Sequence, residues 1–294
     1  MTDTETERDE KAKEQNEEAV ESTPLTKRWE EREAVEEAAA LSPRLIFEAI
    51  RRSGEEELAR PQRALWNSGV AAGVLIAFSV WTEALLRAYL PASPWAYLLE
   101  NVGYSVGFVL VIMGRMQLFT ENTITSVVPL VITPSRWGFK RTARLWVVVL
   151  LANVVGAFAV ATFLAYAPVM AEPVREALTN LSMHATGMTA LEGMMRGVPA
   201  GVLIAALVWM LPSARHNELG LIIFFTWLIA LGDFTHIVAG TVEMAFLAVQ
   251  GLIDAQQAVF GFFLPVLVGN VVGGTAIFTM LTWAQVKADV EEGE

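Results

Sequence analysis

Three residues, Thr120, Thr235 and His236, are best suited to chemistry in this chain. Each sits in a short polar run that interrupts a long apolar segment. The first run is Arg115-Met116-Gln117-Leu118-Phe119-Thr120-Glu121-Asn122-Thr123. The second is Gly232-Asp233-Phe234-Thr235-His236. Polar residues inside a membrane-length segment are expensive unless they line a cavity or pack within the protein. Two such interruptions in corresponding halves point to a binding site between them. Unwound backbone there offers free N–H and C=O groups, and half-helix N-termini carry partial positive charge. That environment suits a small anion. The hydroxyls of Thr120 and Thr235 can donate or accept. Among the three histidines, only His236 falls inside a predicted span, and imidazole is the side chain that ordinarily titrates near neutrality. Beside a passing anion it could donate a hydrogen bond or a proton, and a protonated, neutral species crosses an apolar constriction far more cheaply than an ion.

Leu118, Phe119 and Phe234 border the breaks and could form constrictions or simply pack. Glu121 and Asp233 stand beside them as possible pathway charges. They could cap half-helices, bond loop backbone, or pair with Arg115 or Arg196. Glu243 follows on the half-helix after the second break.

The elements that hold these residues are membrane spans. The chain has 294 residues, is 54% hydrophobic and lacks cysteine, so neither disulfides nor a thiolate metal site is available. Three scattered histidines suggest no metal cluster, and no cofactor motif is present. Residues 1–41 read as an acidic, largely disordered tail, with a possible short helix from Trp29 to Ala40. Residues 1–40 hold 14 acidic and 6 basic side chains, −8 of the net charge of −11. The acidic balance therefore describes the tail rather than a transported species, and it argues against nucleic-acid binding. No apolar core in the first forty residues resembles a cleavable signal peptide.

Residues 42–64 contain an amphipathic helix, with Ser42 as cap and Pro43 in its first turn. Its pattern suits a membrane surface or a partner subunit. Residues 65–287 then read as six spans, about Leu65–Leu90, Trp95–Ile132 broken at Phe119 to Thr123, Thr142–Tyr166, Gly193–Leu211, Leu219–Gly251 broken from Leu231 through Gly240, and Ala258–Val286. A short helix at Pro173–Met183 lies in the loop after span three, and residues 288–294 form a short acidic tail. Lys and Arg cluster on the loops that share the N-terminal side. That bias makes both termini cytoplasmic.

The chain repeats. Gly69 to Trp81 matches Gly197 to Trp209 at ten of thirteen positions, offset by 128. The breaks recur at an offset of 115 through Phe119-Thr120 and Phe234-Thr235, and Asn153-Val154-Val155-Gly156 recurs at Asn270-Val271-Val272-Gly273. Three spans per copy is odd, so the second copy is inverted in the membrane and the breaks face each other near the midplane. The fold expected is an all-α integral membrane bundle, a 3+3 inverted repeat with spans two and five broken.

The Leu118-Phe119-Thr120-x-Asn122 break, the Arg196-Gly197 start of span four and the Phe-x-His-x-x-Ala run from Phe234 to Ala239 resemble the formate/nitrite transporter family, most of all its YfdC-type branch. The resemblance covers roughly Leu45 to Val286. It implies an aquaporin-like protomer, a homopentamer with one pore per protomer, a bacterial inner-membrane location, and passage of small monovalent anions such as formate or nitrite. It puts the pore threonine at Thr120 and the central histidine at His236. Constriction positions fall at Leu118 and Phe119, with Tyr104 and Phe108 on the preceding half-helix, and Ile204 and Ile229 line the path. Two positions depart from the pattern. Gly201 stands where formate channels usually carry Asn, and no lysine lies between Lys140 and Lys287, His184-Ala185 occupying that neighbourhood. A pore for small neutral solutes or gases, and a non-transporting scaffold with a partner-binding tail, stay open beside the anion pathway. Nothing in the sequence suggests an enzyme.

Overall fold

The computed structural model describes residues 41–214 and 217–291. The first forty residues with the short helix expected at Trp29–Ala40, His216, and the last three residues of the C-terminal tail lie outside the described residues. All regular structure among the described residues is helical. The elements are α1 (Pro43–Ala59), α2 (Gln62–Tyr89), α3 (Ala96–Met113), α4 (Phe119–Thr125), α5 (Val128–Ile132), α6 (Arg136–Tyr166), α7 (Glu172–Thr186), α8 (Ala190–Ala214), α9 (Glu218–Leu231), α10 (Ile237–Val249) and α11 (Gln257–Ala288). Helices α2, α3, α6, α8 and α11 are each long and apolar enough to cross a membrane. Helices α9 and α10 are the two pieces of span five, and α3 to α5 make up span two.

Caps set several boundaries. Ser42 Oγ accepts from Leu45 N–H at the start of α1. Ser135 Oγ accepts from Gly138 N–H at 2.9 Å, so α6 begins six residues before the expected Thr142. Thr189 Oγ1 accepts from Glu192 N–H at 3.2 Å and opens α8.

Both breaks differ from their expected positions. The first lies at residues 114–118, and Phe119 to Thr123 is already helical. The second ends at His236 rather than running through Gly240. Their equivalence is also corrected, because the offset from Arg115 to Asp233 is 118, not 115. Arg115 and Asp233, at φ 51° and 53°, are the two non-glycine residues with positive φ among the described residues. Each closes the same helix ending. Met116 N–H reaches back to Val111 O, and Phe234 N–H to Ile229 O, both at 3.0 Å. Leu118 and His236 then take matching extended backbone, φ/ψ −103°/126° and −107°/125°, as caps of α4 and α10. The Phe-Thr pairs on which a sequence alignment fixes are therefore not structural equivalents.

The two copies cross in the same way. A Cβ on Gly73 would collide with the carbonyl of Asn153, and one on Gly156 with that of Val70. In the second copy Gly201 meets the carbonyl of Asn270 and Gly273 that of Val198. Span one thus packs on span three, and span four on span six, through reciprocal glycines that bring backbones together. The result is the expected inverted repeat.

Helix α1 sits at one end of this bundle. Its buried face, Ile46, Phe47, Ile50, Gly54 and Leu58, packs on the chain's own spans rather than on a lipid surface or a partner. The Phe47 ring lies 5.5 Å from Trp283 and 6.3 Å from Trp209. Helix α7 packs on the far half of α2 and on α10, at the opposite end. The helix runs past the expected Pro173–Met183 to Thr186, whose carbonyl accepts from Gln257 Nε2 on α11 at 2.6 Å.

Candidate pore between two re-entrant breaks

Each broken segment is held by one asparagine from the following span. Asn153 Oδ1 accepts from Phe119 N–H at 3.0 Å, while Nδ2 donates to Gly69 O and Gln117 O at 2.8 and 2.9 Å. Asn270 does the same in the second copy, accepting from Ile237 N–H and donating to Gly197 O and Thr235 O, all at 2.8–2.9 Å. One fully buried amide side chain thereby ties a break, the first amide of a half-helix and a glycine-rich span together. The sequence displayed both asparagines inside a repeat, which is the signal that could have found them. Their partners, 33–84 residues away, are visible only in three dimensions.

These clamps aim α4 and α10 at each other from opposite ends. Arg115 of the first break lines a cavity with α1, whereas Asp233 of the second bonds His184 on α7. Where the half-helices meet, Thr120 Oγ1 and His236 Nε2 lie 2.8 Å apart, both residues at 1% exposure. His236 Nδ1 accepts the backbone N–H of Ala239 at 3.3 Å. An acceptor at Nδ1 fixes the neutral tautomer with its proton on Nε2, so the imidazole donates toward the Thr120 hydroxyl. Among the described residues the second amides of the two half-helices, Thr120 N–H and Val238 N–H, have no protein acceptor. Two helix N-termini, two open amides and an imidazole N–H so converge around one buried hydroxyl.

Two other sequence candidates continue from this pair. The Phe108 ring stands edge-on to His236 at 4.9 Å, and Tyr104 follows at 5.3 Å from Phe108. Leu118, Ile204 and Ile229 are fully buried. Phe119 is buried but packs edge-on against Trp146, at 5.7 Å. Three candidates lie apart from the pair. The Thr235 hydroxyl is spent on Gly193 O at 2.7 Å. Phe234 is half-buried, its ring where a Gly232 Cβ would be. Asn122 bonds Gln117 and Thr125 on the α1 side.

The charged candidates divide between the ends. Asp233 Oδ2 receives Arg196 at 2.6 Å and His184 at 2.9 Å, and Arg196 also pairs with Glu192 at 3.0 Å. Glu121 lines a cavity of about 690 Å³ at the α1 end, with Glu57, Arg60, Arg115 and Gln117. Its Oε1 is buried without a hydrogen-bond partner among the described residues. Among the described residues no group of three or more His, Asp or Glu is disposed to hold a metal ion.

Glu57 anchors α1 across this cavity, its Oε2 accepting from Thr125 Oγ1 at 2.7 Å. Burial raises its carboxyl above the usual range, against the hydrogen bonds from Thr125 and Gln117 that lower it. A carboxyl raised on docking holds its proton where the undocked one has lost it. Docking of α1 is therefore strongest at low pH and weakens as pH rises through the raised value. Glu57→Gln should flatten this dependence, read as amide exchange across α1 at about pH 5 and about pH 8. The same pH dependence in both proteins would remove Glu57 as its cause.

An all-helical bundle of membrane-length spans, folded as an inverted repeat with two re-entrant breaks meeting at a buried hydroxyl–imidazole pair, defines a multi-pass channel or transporter. Residues 44–284 match the formate/nitrite transporter family, and the chain belongs to that family. The inner membrane protein YfdC of Escherichia coli (strain K12) is 41% identical over 245 residues, 83% of this chain and 79% of the relative. The formate channel FocA of Haemophilus influenzae is 25% identical over 241 residues, 70% of this chain and 81% of the relative. Among solved structures, a pentameric formate channel with formate bound shares the fold at a TM-score of 0.64 and 21% identity, over 77% of this chain and 99% of that one. An FNT family ion channel does so at 0.71 and 16% identity, over 82% and 98%.

Proposed function

We propose that this protein passes small monovalent weak-acid anions, of the size of formate or nitrite, across a bacterial inner membrane. The α1 end is cytoplasmic, and the functional unit is a homopentamer with one pore in each protomer. The observation that carries this reading is the Thr120–His236 pair at the junction of two half-helix N-termini. An anion replacing the Thr120 hydroxyl as partner of His236 Nε2–H meets a fixed donor, open backbone amides and the positive ends of two helix dipoles. No full cation is needed, which suits a chain without lysine in this region. His236 acts as a hydrogen-bond donor that stabilises the anion, because its second nitrogen is committed to the α10 cap. The formate-bound solved relative and the inner-membrane relative support substrate class, assembly and location. Leu118, Phe108, Ile204 and Ile229 supply the apolar wall that strips water from the ion.

A second reading, a pore for small neutral solutes, draws on one observation. Arg196, the cation nearest the second break, is already neutralised by Asp233 and Glu192. Purified protein in vesicles separates the two. With the membrane potential clamped, uptake of labelled formate or nitrite above protein-free vesicles is expected, with little passage of glycerol or urea. Passage of the neutral solutes without either anion would transfer the assignment to the second reading.

A further inference from the structure

The first three turns of α6 carry four cations and no carboxylate; the nearest acids along the chain are Glu121 and Glu172. Arg136, Lys140 and Arg144 recur at every fourth residue, which sets them on one face at steps of about 6 Å along the axis. All three are exposed, and none forms an ion pair among the described residues. The fourth, Arg141, has its guanidinium carbon 4.3 Å from the centre of the Trp137 ring, and that ring is 66% exposed. On α1 the arrangement differs, because Arg51 and Arg52 are tied to Glu48, and Arg51 also to Glu55.

The same face continues as hydrocarbon. Val147, Leu151 and Val155 follow Arg144 at steps of three and four residues and are each about half exposed, on a helix long and apolar enough to cross a membrane. The opposite face lies inside the protein. Thr142 Oγ1 donates to Ser126 O at 3.2 Å and Trp146 Nε1 to Ser126 Oγ at 2.9 Å, while Leu145 and Val149 are fully buried. Cations in loops would serve orientation alone. Here they stand on the spanning helix itself, in line with its outward apolar stripe. An unpaired cation at the membrane surface strengthens attachment to anionic lipid about fivefold. An exposed indole beside such cations is the side chain that settles at headgroup level.

We infer that the first three turns of α6 bind an anionic phospholipid of the bilayer they enter. Its phosphate accepts from Lys140 and Arg144, Arg136 adds charge at the outer edge, and an acyl chain runs along Val147, Leu151 and Val155. An arginine can grip phosphate through two parallel N–H groups, and a lysine acts on it as a point charge. A zwitterionic lipid offers the same chains, but its headgroup brings a cation that four positive side chains repel. The surface lies on the side of α6 turned away from Ser126 and the first re-entrant segment. It therefore does not depend on which species the pore passes.

The test titrates delipidated full-length protein in detergent with phosphatidylglycerol or phosphatidylcholine. Native mass spectrometry reads bound lipid and subunit number together. Wild type should bind phosphatidylglycerol at least about tenfold more tightly, with the preference shrinking in high salt. Lys140→Gln combined with Arg144→Gln should weaken phosphatidylglycerol binding about 25-fold and leave phosphatidylcholine unchanged. If that pair does not fold, Lys140→Gln alone should cost about fivefold and decides the matter. Arg44→Gln combined with Arg52→Gln removes two exposed cations from α1 at the same end of the bundle, and it should leave both affinities near wild type. Equal affinity of wild type for the two lipids would overturn the site, as would an unchanged preference in the α6 variant. Equal loss in the α1 variant would replace the site by diffuse attraction to positive charge. A changed subunit number in the α6 variant would make the patch a contact between copies instead.

Discussion

Formate flux through His236→Ala is expected to fall by roughly 10- to 100-fold, since a hydrogen bond to a charged group contributes about 1.5–3 kcal/mol. The substitution also removes the side chain that caps α10, so flux loss alone would not separate chemistry from folding. His236→Asn does separate them. Asparagine is among the best N-caps and can take over the Ala239 N–H, but its shorter side chain does not reach Thr120 Oγ1. That variant should keep a melting temperature near wild type and still lose most of the flux. Thr120→Val, which deletes the hydroxyl facing Nε2 at 2.8 Å, should act in the same direction, and Thr120→Ser should restore part of the rate. The measurement is initial uptake in vesicles at matched protein density, with melting followed in detergent. Wild-type flux in stable His236→Asn and His236→Ala would end the assignment of the central pair as the anion's donor.

The membrane architecture was legible because burial in lipid imposes long apolar runs. The inverted repeat was legible from the Gly69–Trp81 and Gly197–Trp209 match, whose glycines are fixed by backbone approach. The breaks were found but misregistered, and the cause is physical. A left-handed residue closes each preceding helix, and here those residues are Arg115 and Asp233. Neither is glycine, the usual sign of such a position. The repeated Phe-Thr drew the alignment instead. Thr120 and His236 were each legible at their breaks, but the hydrogen bond between them spans 116 residues and left no periodic trace. The amphipathic pattern of α1 predicted a buried face but not its partner, because an apolar stripe does not record what covers it.

The asparagine clamps carry the second large expectation. Asn270→Ala strands Ile237 N–H and Thr235 O, and Asn153→Ala strands Phe119 N–H and Gln117 O, while Gly197 O and Gly69 O lose a second donor and keep their helix bonds. A buried group left without its partner costs about 1–3 kcal/mol, so each substitution should destabilise the protein by several kcal/mol even if the freed groups partly find water or each other. Flux should fall further than stability requires, because the second break delivers His236 and the first delivers Thr120. The two clamps share no direct partner, yet their costs should not add. Either substitution already loosens one side of the Thr120–His236 hydrogen bond, and the second cannot break that bond again. The double variant should therefore cost less than the sum of the singles by about 0.5–1.5 kcal/mol, the worth of one hydrogen bond. Denaturant unfolding in detergent, run as a double-mutant cycle and repeated on a Thr120→Val background, reads this directly. Coupling should be present with threonine at the centre and vanish on the Thr120→Val background, because only there has the bond between the breaks been removed beforehand. Strict additivity in both backgrounds would mean that the breaks are positioned independently, with their meeting at the centre a consequence of the spans around them rather than of the hydrogen bond between them.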